Sequence, residues 1–495
     1  MLWTSETAAK ATGGKAQGSW QAARVEIDSR RVRPGDLFVA IKGERFDGHD
    51  YVADAFANGA VAAIISSSNR GEAGRGAPHG RTEQASPPPN LPPIGGGKLL
   101  VVDDTFKALE ALGRAGRQRS RAKVIGITGS VGKTSAKEML RIALAAHGSV
   151  FAGAGNFNNH IGTPLNLANL PPEVDFAVFE MGMNHAGEIA QLTRQVMPHI
   201  VVITNVEAVH MEFFPSVEAI AQAKSEIFEG VTVDGVAVLN RDSVHYALME
   251  KRARACGIKH LVTFGAHEDA DCRLMDYGIG GGGSHIVAEI HGKVLHYTLA
   301  AIGKHWALAS LLTLAVTHAL ELSDTKTATA LEAFGELDGR GKVISLSVHG
   351  GEVLLIDDSY NASPAAMRAA FIKTAEVWEN TGGTGRRIAA LGDMLELGPQ
   401  GPALHRALAE DIKGAGFDSV FTAGALMQYL HDALRAPLAA VHVAKSMELL
   451  PLLRAELKPG DILLVKGSHG SRIYELAKAL QDVKSSAAEE TRNVI

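Results

Sequence analysis

The sequence is poor in the features that mark secreted, metal-framework or membrane proteins. Its 495 residues include two cysteines, Cys256 and Cys272, which allow at most one disulfide and no cysteine cage for a metal. No apolar run approaches the roughly 20 residues that a helix needs to span a bilayer. Residues 1–10 lack both the basic segment and the continuous apolar core of a signal peptide. These absences predict a soluble protein of a reducing cytoplasm that does not insert into membranes.

No charge of one sign dominates the chain either. The net charge of −5 gives no reason to expect nucleic acid or an anionic membrane surface as a partner. Hydrophobic residues at 46% and charged residues at 21% are ordinary for a globular protein. No internal repeat occurs at solenoid spacing, and a prior of about 150 residues per domain predicts three domains. We expect the protein to be a monomer.

What the chain does contain is a glycine-rich stretch at residues 126–135. It follows a short apolar run and opens a helical pattern, and a helix N-terminus after such a turn binds phosphate oxygens. Lys133 would reach the β- and γ-phosphates, and the hydroxyl of Thr134 would bind Mg²⁺. Ile127 stands where a Walker A motif has its first glycine, so the spacing is the shorter G-x-x-G-K-T. The alternative is a structural glycine turn with a solvated lysine.

The loop supplies most of the residues that we predict to bind ATP. They are Ile127, Thr128, Gly129, Ser130, Val131, Gly132, Lys133 and Thr134.

The alternation of strands and helices predicts an α/β fold of three domains. Residues 1–110 form a small N-terminal α/β unit, and its segment 66–97, rich in Gly, Pro, Ser and Arg, is predicted to be a mobile surface insertion. From 111 to 338 the pattern favours a central, mostly parallel sheet of the P-loop type. The alternation restarts at 339, which predicts a C-terminal Rossmann-like domain over 339–495.

Two polar side chains follow buried strands of the central domain. Glu180 ends the strand at 175–180, and His210 follows the strand at 200–205. Ligands of open α/β sheets bind beyond the carboxyl ends of the strands, so both side chains are predicted to converge on the phosphate loop. They are plausible Mg²⁺ ligands, although Mg²⁺ prefers oxygen. The alternative for each, taken singly, is a capping or surface role.

A lysine stands on the apolar stripe of the helix predicted at 216–228. Lys224 falls between Ile220 and Ile227 at helical spacing. A lysine in this position can extend its amine to solvent. Beside an active site, burial can instead lower its pKa and make it reactive. The sequence pattern leaves both interpretations open.

Several stretches together resemble the Mur ligase family across nearly the whole chain apart from 66–97. The marks shared by the family are found at 128–134, 156–159, 180–182, 205–210 and 223–228. Three further stretches, at 46–49, 357–364 and 391–398, are similar to the branch that accepts D-alanyl-D-alanine.

This resemblance implies an ATP-dependent amide-forming ligase of peptidoglycan precursor synthesis. Its substrates would be a UDP-N-acetylmuramoyl tripeptide and D-alanyl-D-alanine, joined through an acyl phosphate. The N-terminal domain would hold the UDP end, the central domain ATP, and the C-terminal domain would close over both. The rivals are sister ligases that add a single amino acid and folylpolyglutamate synthetase, which lacks the 391–398 stretch. From another class, a nucleotide-dependent switch without ligase activity also remains.

The resemblance also implies roles for individual residues. Glu180 and His210 would hold Mg²⁺ together with Thr134, and Lys224 would be carbamoylated to help hold a second Mg²⁺. Arg340 and Asp358 match residues that approach the γ-phosphate and the ribose. The expected catalytic residues are Lys133, Glu180, His210, Lys224 and Arg340. His305 and Asn361 complete the ATP site, and the substrate residues are Ser29, Asp47, Gly48, His49, Asn158 and Asn159. For Asp47 and His49, a role as turn residues around Gly48 is the alternative.

The chain departs from the family near the adenine. After the histidine that matches His305, the family commonly has an asparagine, and another three residues later. Here these positions are Trp306 and Ala309. We therefore expect Trp306 to lie near the adenine and to replace hydrogen bonding with ring stacking.

Overall fold

The computed structural model describes residues 1–43, 46–67, 98–153, 157–209, 211–348, 350–434 and 438–482. These residues form three α/β domains, each built around a mixed and mostly parallel sheet, which confirms the expected fold class. The predicted insertion at 66–97 is described only at Ser66 and Ser67, and its other residues lie outside the described ranges. None of the helices in the described part of the chain is both long and apolar enough to cross a membrane.

The N-terminal domain is a five-stranded sheet within the described residues, with the order β2-β7-β6-β5-β4. Strands β4 to β7 are parallel, and β2 pairs antiparallel with β7 at the edge. Its elements are β1 (Trp3–Thr4), α1 (Ser5–Thr12), β2 (Lys15–Ala16), β3 (Gln21–Ala22), β4 (Arg24–Glu26), β5 (Asp36–Val39), α2 (Val52–Ala57), β6 (Ala62–Ser66) and β7 (Lys98–Val102). The first helix begins at Ser5 because the Thr4 side chain caps it by accepting from the Thr7 N–H.

The first part of the central domain places the phosphate loop at the middle of a sheet. Its elements are α3 (Thr105–Arg119), β8 (Lys123–Thr128), α4 (Lys133–Ala145), β9 (Val150–Ala152), α5 (Gly162–Ala168), β10 (Phe176–Glu180), α6 (Glu188–Val196), β11 (Ile200–Ile203) and α7 (Val217–Lys224). Strand β8 lies between β10 and β11, and all three are parallel. The strand order therefore reverses beside β8, and such a reversal opens a crevice for a ligand at the carboxyl edge.

The second part extends that sheet to nine strands in the described residues, ordered β16-β15-β14-β13-β12-β11-β8-β10-β9. Its elements are β12 (Val236–Asn240), α8 (Tyr246–Ala255), β13 (His260–Gly265), β14 (Cys272–Gly280), β15 (Gly283–Ile290), β16 (Lys293–Leu299), α9 (Lys304–Ala319) and α10 (Asp324–Leu331). A turn at His291 and Gly292 joins β15 to β16. Helix α7 is shorter than predicted, since the chain tightens to a 3₁₀ turn at Ser225–Gly230.

Both faces of the central sheet are buried. On β8, Ile125 and Ile127 face an apolar cluster with α4 and α9, and Val124 faces a second cluster with α6 and α7. This alternation follows from the two-residue period of a strand. Because both faces are covered, the strands read as nearly continuous apolar runs, as parallel strands do.

The C-terminal domain is a second doubly wound sheet with six strands in the described residues, ordered β17-β18-β22-β19-β20-β21. Its elements are β17 (Lys342–Val348), β18 (Gly351–Asp358), α11 (Pro364–Asn380), β19 (Arg387–Gly392), α12 (Gly401–Gly414), β20 (Ser419–Ala423), α13 (Met427–His431), β21 (Ala439–Val443), α14 (Leu449–Glu456), β22 (Ile462–Lys466) and α15 (Ile473–Gln481). Only β17 is antiparallel to its neighbour among these strands. Ser363 caps α11 and Pro364 begins it.

Candidate active site

The phosphate loop, residues 129–132, joins β8 to α4 at the carboxyl edge of the central sheet. Gly129 has a φ of 151° and Gly132 a φ of 84°, a region that favours glycine. A Cβ on Gly129 would lie 1.8 Å from the Thr204 hydroxyl oxygen. No side chain in the described ranges caps α4, so its first N–H groups are available to an anion.

The segment after β11 holds this loop in shape. The Thr204 hydroxyl donates to the Val131 carbonyl at 2.6 Å, and the Asn205 side chain accepts from the Val131 N–H at 3.2 Å. The Ser130 hydroxyl donates to the Glu207 carbonyl and accepts from the Glu207 N–H, at 3.1 and 2.9 Å. Neither Thr204 nor Asn205 was among the residues predicted to bind the nucleotide. Their contacts fix the loop geometry without any ligand.

Lys133 begins α4 and turns back over the loop. Its amine donates to the Gly129 carbonyl at 2.6 Å. Burial lowers the pKa of Lys133, the nearby Glu180 carboxylate acts against this shift, and the Arg340 guanidinium adds to it. The amine therefore lies where phosphate oxygens would replace the backbone carbonyl as its partner.

Glu180 and Thr134 lie together, as the sequence predicted. Glu180 is the last residue of β10 and is buried, and its Oε2 accepts from the Thr134 hydroxyl at 3.3 Å. Its Oε1 lies 3.0 Å from the Lys137 amine, which also donates to the Gly153 carbonyl at 2.9 Å. Lys137 was not among the predicted site residues, although it stands one helical turn after Lys133 on α4.

These oxygen atoms fit a magnesium ion. A carboxylate and a hydroxyl at one point are hard ligands, and Mg²⁺ in nucleotide sites takes one or two carboxylates plus phosphate oxygens. His210, the other predicted ligand, lies outside the described residues. Within the described ranges no group of three or more His, Cys, Asp or Glu side chains could hold a metal by itself. In nucleotide sites, phosphate oxygens and water complete the coordination of Mg²⁺.

Lys224, the last residue of α7, is buried with 2% of its surface exposed. Its amine makes no hydrogen bond or ion pair with any residue that the structure describes. Burial, and then the positive charge of Lys133, lower the pKa of Lys224 well below its ordinary value. The expectation that the Lys224 amine extends to solvent is therefore wrong. The amine also lies close enough to Lys133 to be repelled by its positive charge.

A cleft of about 370 Å³ opens between the central and C-terminal domains. Arg340 reaches across it, donating to the Thr134 hydroxyl at 3.1 Å while its guanidinium lies 4.1 Å from the Tyr360 ring centroid. The cleft brings together these predicted nucleotide residues: Val131, Gly132, His305, Arg340, Asp358 and Asn361.

Asp358 ends β18 on the floor of this cleft. It accepts from the Lys466 amine at 2.6 Å, and the same amine donates to the Asn361 carbonyl at 3.0 Å. Burial raises the pKa of Asp358, against the lowering effect of Lys466. Lys466 is 2% exposed and is the last residue of β22, at the carboxyl edge of the sheet, and it was not among the predicted site residues.

Trp306 and Ala309 both line the cleft. Trp306 is 3% exposed and packs against Phe334, with 5.2 Å between the ring centroids, and against His305 at 4.6 Å. Its indole nitrogen is buried without a hydrogen-bond partner among the described residues. The indole therefore forms part of the apolar wall of the cleft.

Three of the predicted substrate residues of the N-terminal domain, Asp47, Gly48 and His49, form a turn. The His49 Nδ1 lies 2.6 Å from Asp47 Oδ1, and its Nε2 accepts from the Ser66 N–H at 3.0 Å, so Nδ1 carries the proton and donates. Burial acts to raise the pKa of Asp47, but hydrogen bonds from the His49 N–H and ring outweigh it and lower that pKa. Gly48 is required because a Cβ would lie 2.7 Å from the Ile41 nitrogen. Both ring nitrogens of His49 are thus engaged within the domain.

The remaining predicted substrate residues lie at two other places. Ser29 is buried, and its carbonyl accepts from the Asn58 side chain at 3.0 Å. The Asn159 side chain accepts from two N–H groups at the entry to α5, those of Ile161 and Gly162. The Asn158 carbonyl accepts from the Gly182 N–H at 2.8 Å, which puts Asn158 beside the loop after Glu180. Asn159 thus caps a helix entry.

Three protein-family models of the Mur ligases match the chain. The Mur ligase middle domain matches residues 127–317, and the Mur ligase, glutamate ligase domain matches 339–469. The Mur ligase family, catalytic domain matches 22–85.

Curated relatives match over nearly their full length. The UDP-N-acetylmuramoyl-tripeptide–D-alanyl-D-alanine ligase of Rickettsia prowazekii is 32% identical over 97% of this chain and 100% of its own. The enzymes of the same name from Bacillus subtilis and Escherichia coli are each 33% identical over 92% of this chain, and over 92% and 93% of their own chains.

Solved structures share the three-domain arrangement. MurF from Acinetobacter baumannii superposes with a TM-score of 0.80 at 28% identity, covering 97% of this chain and 99% of its own. MurF ligase from Thermotoga maritima in complex with ADP has a TM-score of 0.74 at 27% identity, covering 93% and 97%.

Proposed function

The chain belongs to the Mur ligase family, and on that premise we propose that it joins D-alanyl-D-alanine to UDP-N-acetylmuramoyl tripeptide. ATP supplies the energy, and the product is a precursor of peptidoglycan. One observation carries the proposal. Arg340, from the C-terminal domain, donates to the hydroxyl of Thr134 beside the phosphate loop, which lines the cleft between the two domains. A ligase that activates a carboxylate needs cations from both sides of the transferring phosphoryl group.

The reaction has two steps. An oxygen of the terminal tripeptide carboxylate attacks the γ-phosphorus, the bond to the β–γ bridging oxygen breaks, and ADP leaves with the electron pair. The neutral amine of D-alanyl-D-alanine then attacks the carbonyl carbon of the acyl phosphate. The tetrahedral intermediate collapses, phosphate leaves, and the nitrogen loses a proton to give the amide.

Positive charge is the main contribution of the protein to the first step. Carboxylate and triphosphate are both anionic and repel one another, so the barrier depends on cations fixed near the transferring group. Lys133 and the N–H groups at the start of α4 bind the phosphates from the central domain. Arg340 approaches from the C-terminal domain. Closure of the two domains excludes water, which would otherwise hydrolyse the acyl phosphate.

Thr134 and Glu180 would hold Mg²⁺, with His210 as a further ligand from the family pattern. When bound, Mg²⁺ neutralises charge on the phosphate oxygens. Lys224 would contribute to a second ion as a carbamate. Its lone pair attacks the carbon of CO₂, the nitrogen loses one proton, and the product is an anion with two oxygens. Burial lowers the pKa of the Lys224 amine, and this favours the neutral form that reacts with CO₂.

The other assignments place the nucleotide and the substrate. Asp358 would bind the ribose, with His305 and Asn361 completing the ATP site, and Trp306 would stack on the adenine. The UDP end of the substrate would lie at Ser29 and the turn formed by Asp47, Gly48 and His49, with Asn158 and Asn159 nearer the reacting carboxylate. Since Asp47 and the Ser66 N–H engage both ring nitrogens of His49 within the domain, its role toward the ligand is to shape the backbone. The enzyme would act as a monomer in the cytoplasm.

ADP release tests this function. The purified protein is assayed with a series of UDP-muramoyl peptides, with and without D-alanyl-D-alanine, and the ligated product is identified by mass. ADP and product are expected only with the tripeptide and the dipeptide together. Product with a single amino acid would indicate a sister ligase, and nucleotide turnover without any ligated product would indicate a switch.

A further inference from the structure

A buried lysine stands at the joint between the central and C-terminal domains. Lys373, on α11, is 2% exposed and lines the cleft. Its amine forms an ion pair with Glu336 and donates to the Gly341 carbonyl at 2.5 Å. The second oxygen of Glu336 accepts from the Val343 N–H at 2.6 Å. The ion pair thus links α11 to the segment that leaves the central domain, and the hydrogen bond to Glu336 links that segment to β17, the first strand of the C-terminal domain.

The same contacts hold the backbone on both sides of Arg340. Gly341 donates its N–H to the Asp357 carbonyl at 2.8 Å, while its own carbonyl accepts from Lys373. The Gly339 carbonyl accepts from the Tyr360 N–H at 3.0 Å. Gly339 and Gly341 have φ values of 68° and 87°, so the chain turns sharply before and after the arginine. The direction of the Arg340 side chain therefore depends on this turn.

Stability alone does not account for an ion pair in this place. Replacing a buried ion pair by apolar side chains of similar volume is often neutral or stabilising, because desolvating two charges is costly. What the pair supplies is a fixed geometry, since it ties α11 to both ends of the joint. The group whose position depends most directly on that geometry is the Arg340 guanidinium, 3.1 Å from the Thr134 hydroxyl.

We propose that Lys373, together with Glu336, is a positioning residue for Arg340. The pair fixes the 336–341 joint so that the guanidinium faces the phosphate loop when the reaction begins. This inference rests on the proposed function, in which Arg340 stabilises charge on the transferring phosphoryl group. It gives Lys373 a role in the rate of phosphoryl transfer that is separate from any contact with substrate.

The test is a double-mutant cycle between Lys373 and Arg340. Lys373→Met should lower kcat on the order of tenfold to a hundredfold, because small displacements of a catalytic group cost about that much. The KM values for tripeptide and dipeptide should change by less than about threefold. In an Arg340→Ala background, Lys373→Met should cause no further loss, because it acts through the guanidinium.

Lys342→Met is the matched control. Lys342 pairs with Asp338 at 2.7 Å beside the same joint, but Asp338 is 90% exposed and Lys342 43% exposed, so the kcat of Lys342→Met should stay at the wild-type value. If Lys373→Met folds poorly, the variant Glu336→Leu/Lys373→Met removes both charges, and it should fold while keeping the low kcat.

Three outcomes separate the possibilities. A folded Lys373→Met or double variant with wild-type kcat overturns the inference. So does an equal loss from Lys373→Met with and without Arg340, because the two residues would then act independently. If Arg340→Ala alone keeps full activity, the proposed role of Arg340 fails, and the inference about Lys373 fails with it.

Discussion

The Arg340 guanidinium donates a 3.1 Å hydrogen bond to the Thr134 hydroxyl, although 206 residues separate the two in the chain. The same hydroxyl lies 3.3 Å from Glu180 Oε2 and can donate to it. An arginine of the C-terminal domain therefore meets the carboxylate and hydroxyl of the central domain at one point. Because the contact crosses the cleft, the position of the C-terminal domain determines the charge at the phosphate loop.

Lys133→Ala should abolish most ligation while leaving the fold intact. The lost contact is to phosphate, and one charge-stabilising contact is worth roughly 3 kcal/mol, on the order of a hundredfold in rate. ADP release and product formation measure the loss, and the unfolding midpoint checks the fold. Lys123→Ala, at the exposed start of the same strand β8, is the control and should keep its activity. Turnover of Lys133→Ala within a fewfold of wild type would refute the phosphate-loop assignment.

Trp306 should contribute to ATP binding through the face of its ring. Base stacking on an aromatic side chain is worth roughly 1–3 kcal/mol, so Trp306→Leu should raise the KM for ATP about tenfold or more. Trp306→Phe keeps a ring and should stay within a fewfold of wild type. Since every base offers a π-face, ATP should be preferred over GTP only weakly. A strong preference for ATP that survived in Trp306→Leu would contradict stacking as the source of adenine recognition.

The local parts of the site were predictable from the sequence. The phosphate loop depends on a few consecutive residues between a strand and a helix, and Glu180 was found because it ends a buried strand. Helical spacing placed Lys224 on an apolar stripe, but it did not decide between burial of the amine and its extension to solvent. For the loop and for Glu180, a short stretch of sequence contains the residues that determine the local structure. The alternation of strands and helices predicts the fold class in the same local way.

Contacts between distant segments were not predictable. Lys137 meets Glu180, and Lys373 meets Glu336, only because the topology brings separate elements together. Asn159, which motif similarity assigns to the substrate, also accepts from the N–H groups of Ile161 and Gly162 at the entry to α5, a contact that the sequence did not predict.

The stability of the protein should fall on acidification in a way that depends on His199. Its Nδ1 accepts from the Val124 N–H at 2.9 Å, and burial, with the cations Arg117 and Lys123, lowers the pKa of His199 from 6.5 to about 4. Between these two values the unfolded chain binds the proton and the folded chain does not. The contribution to stability is therefore complete above about pH 6.5 and is lost as the pH falls toward 4.

Replacing the imidazole tests this dependence. His199→Gln keeps an acceptor for the Val124 N–H but cannot titrate. Between pH 6.5 and 4.5 its free energy of unfolding should fall less steeply than that of wild type, by up to about 1.4 kcal/mol per pH unit for one proton. Urea unfolding at a series of pH values gives both slopes. Parallel curves for the two proteins would show that His199 does not contribute to the acid sensitivity.

Lys224 should be carbamoylated in the active enzyme. Its amine is buried without a partner among the described residues, and a protonated amine there would be repelled by Lys133 and by any Mg²⁺ at Glu180. Reaction of the neutral amine with CO₂ converts it to an anion with two oxygens, which suits a hard cation. A carbonyl signal from ¹³CO₂ should appear by NMR in the wild-type protein and be missing in Lys224→Ala.

The activity of Lys224→Ala gives the functional side of this prediction. The variant should lose most ligation, and small carboxylates such as acetate or formate should partly restore it, because they return an oxygen ligand to the space that the side chain leaves. Lys251→Ala, at an exposed lysine of α8, is the control and should neither lose activity nor respond to acetate. A high-resolution map of the ATP·Mg²⁺ complex with an unmodified amine turned away from the metal would defeat the proposal. So would a Lys224→Ala variant that keeps the wild-type rate, since the carbamate would then have no part in the reaction.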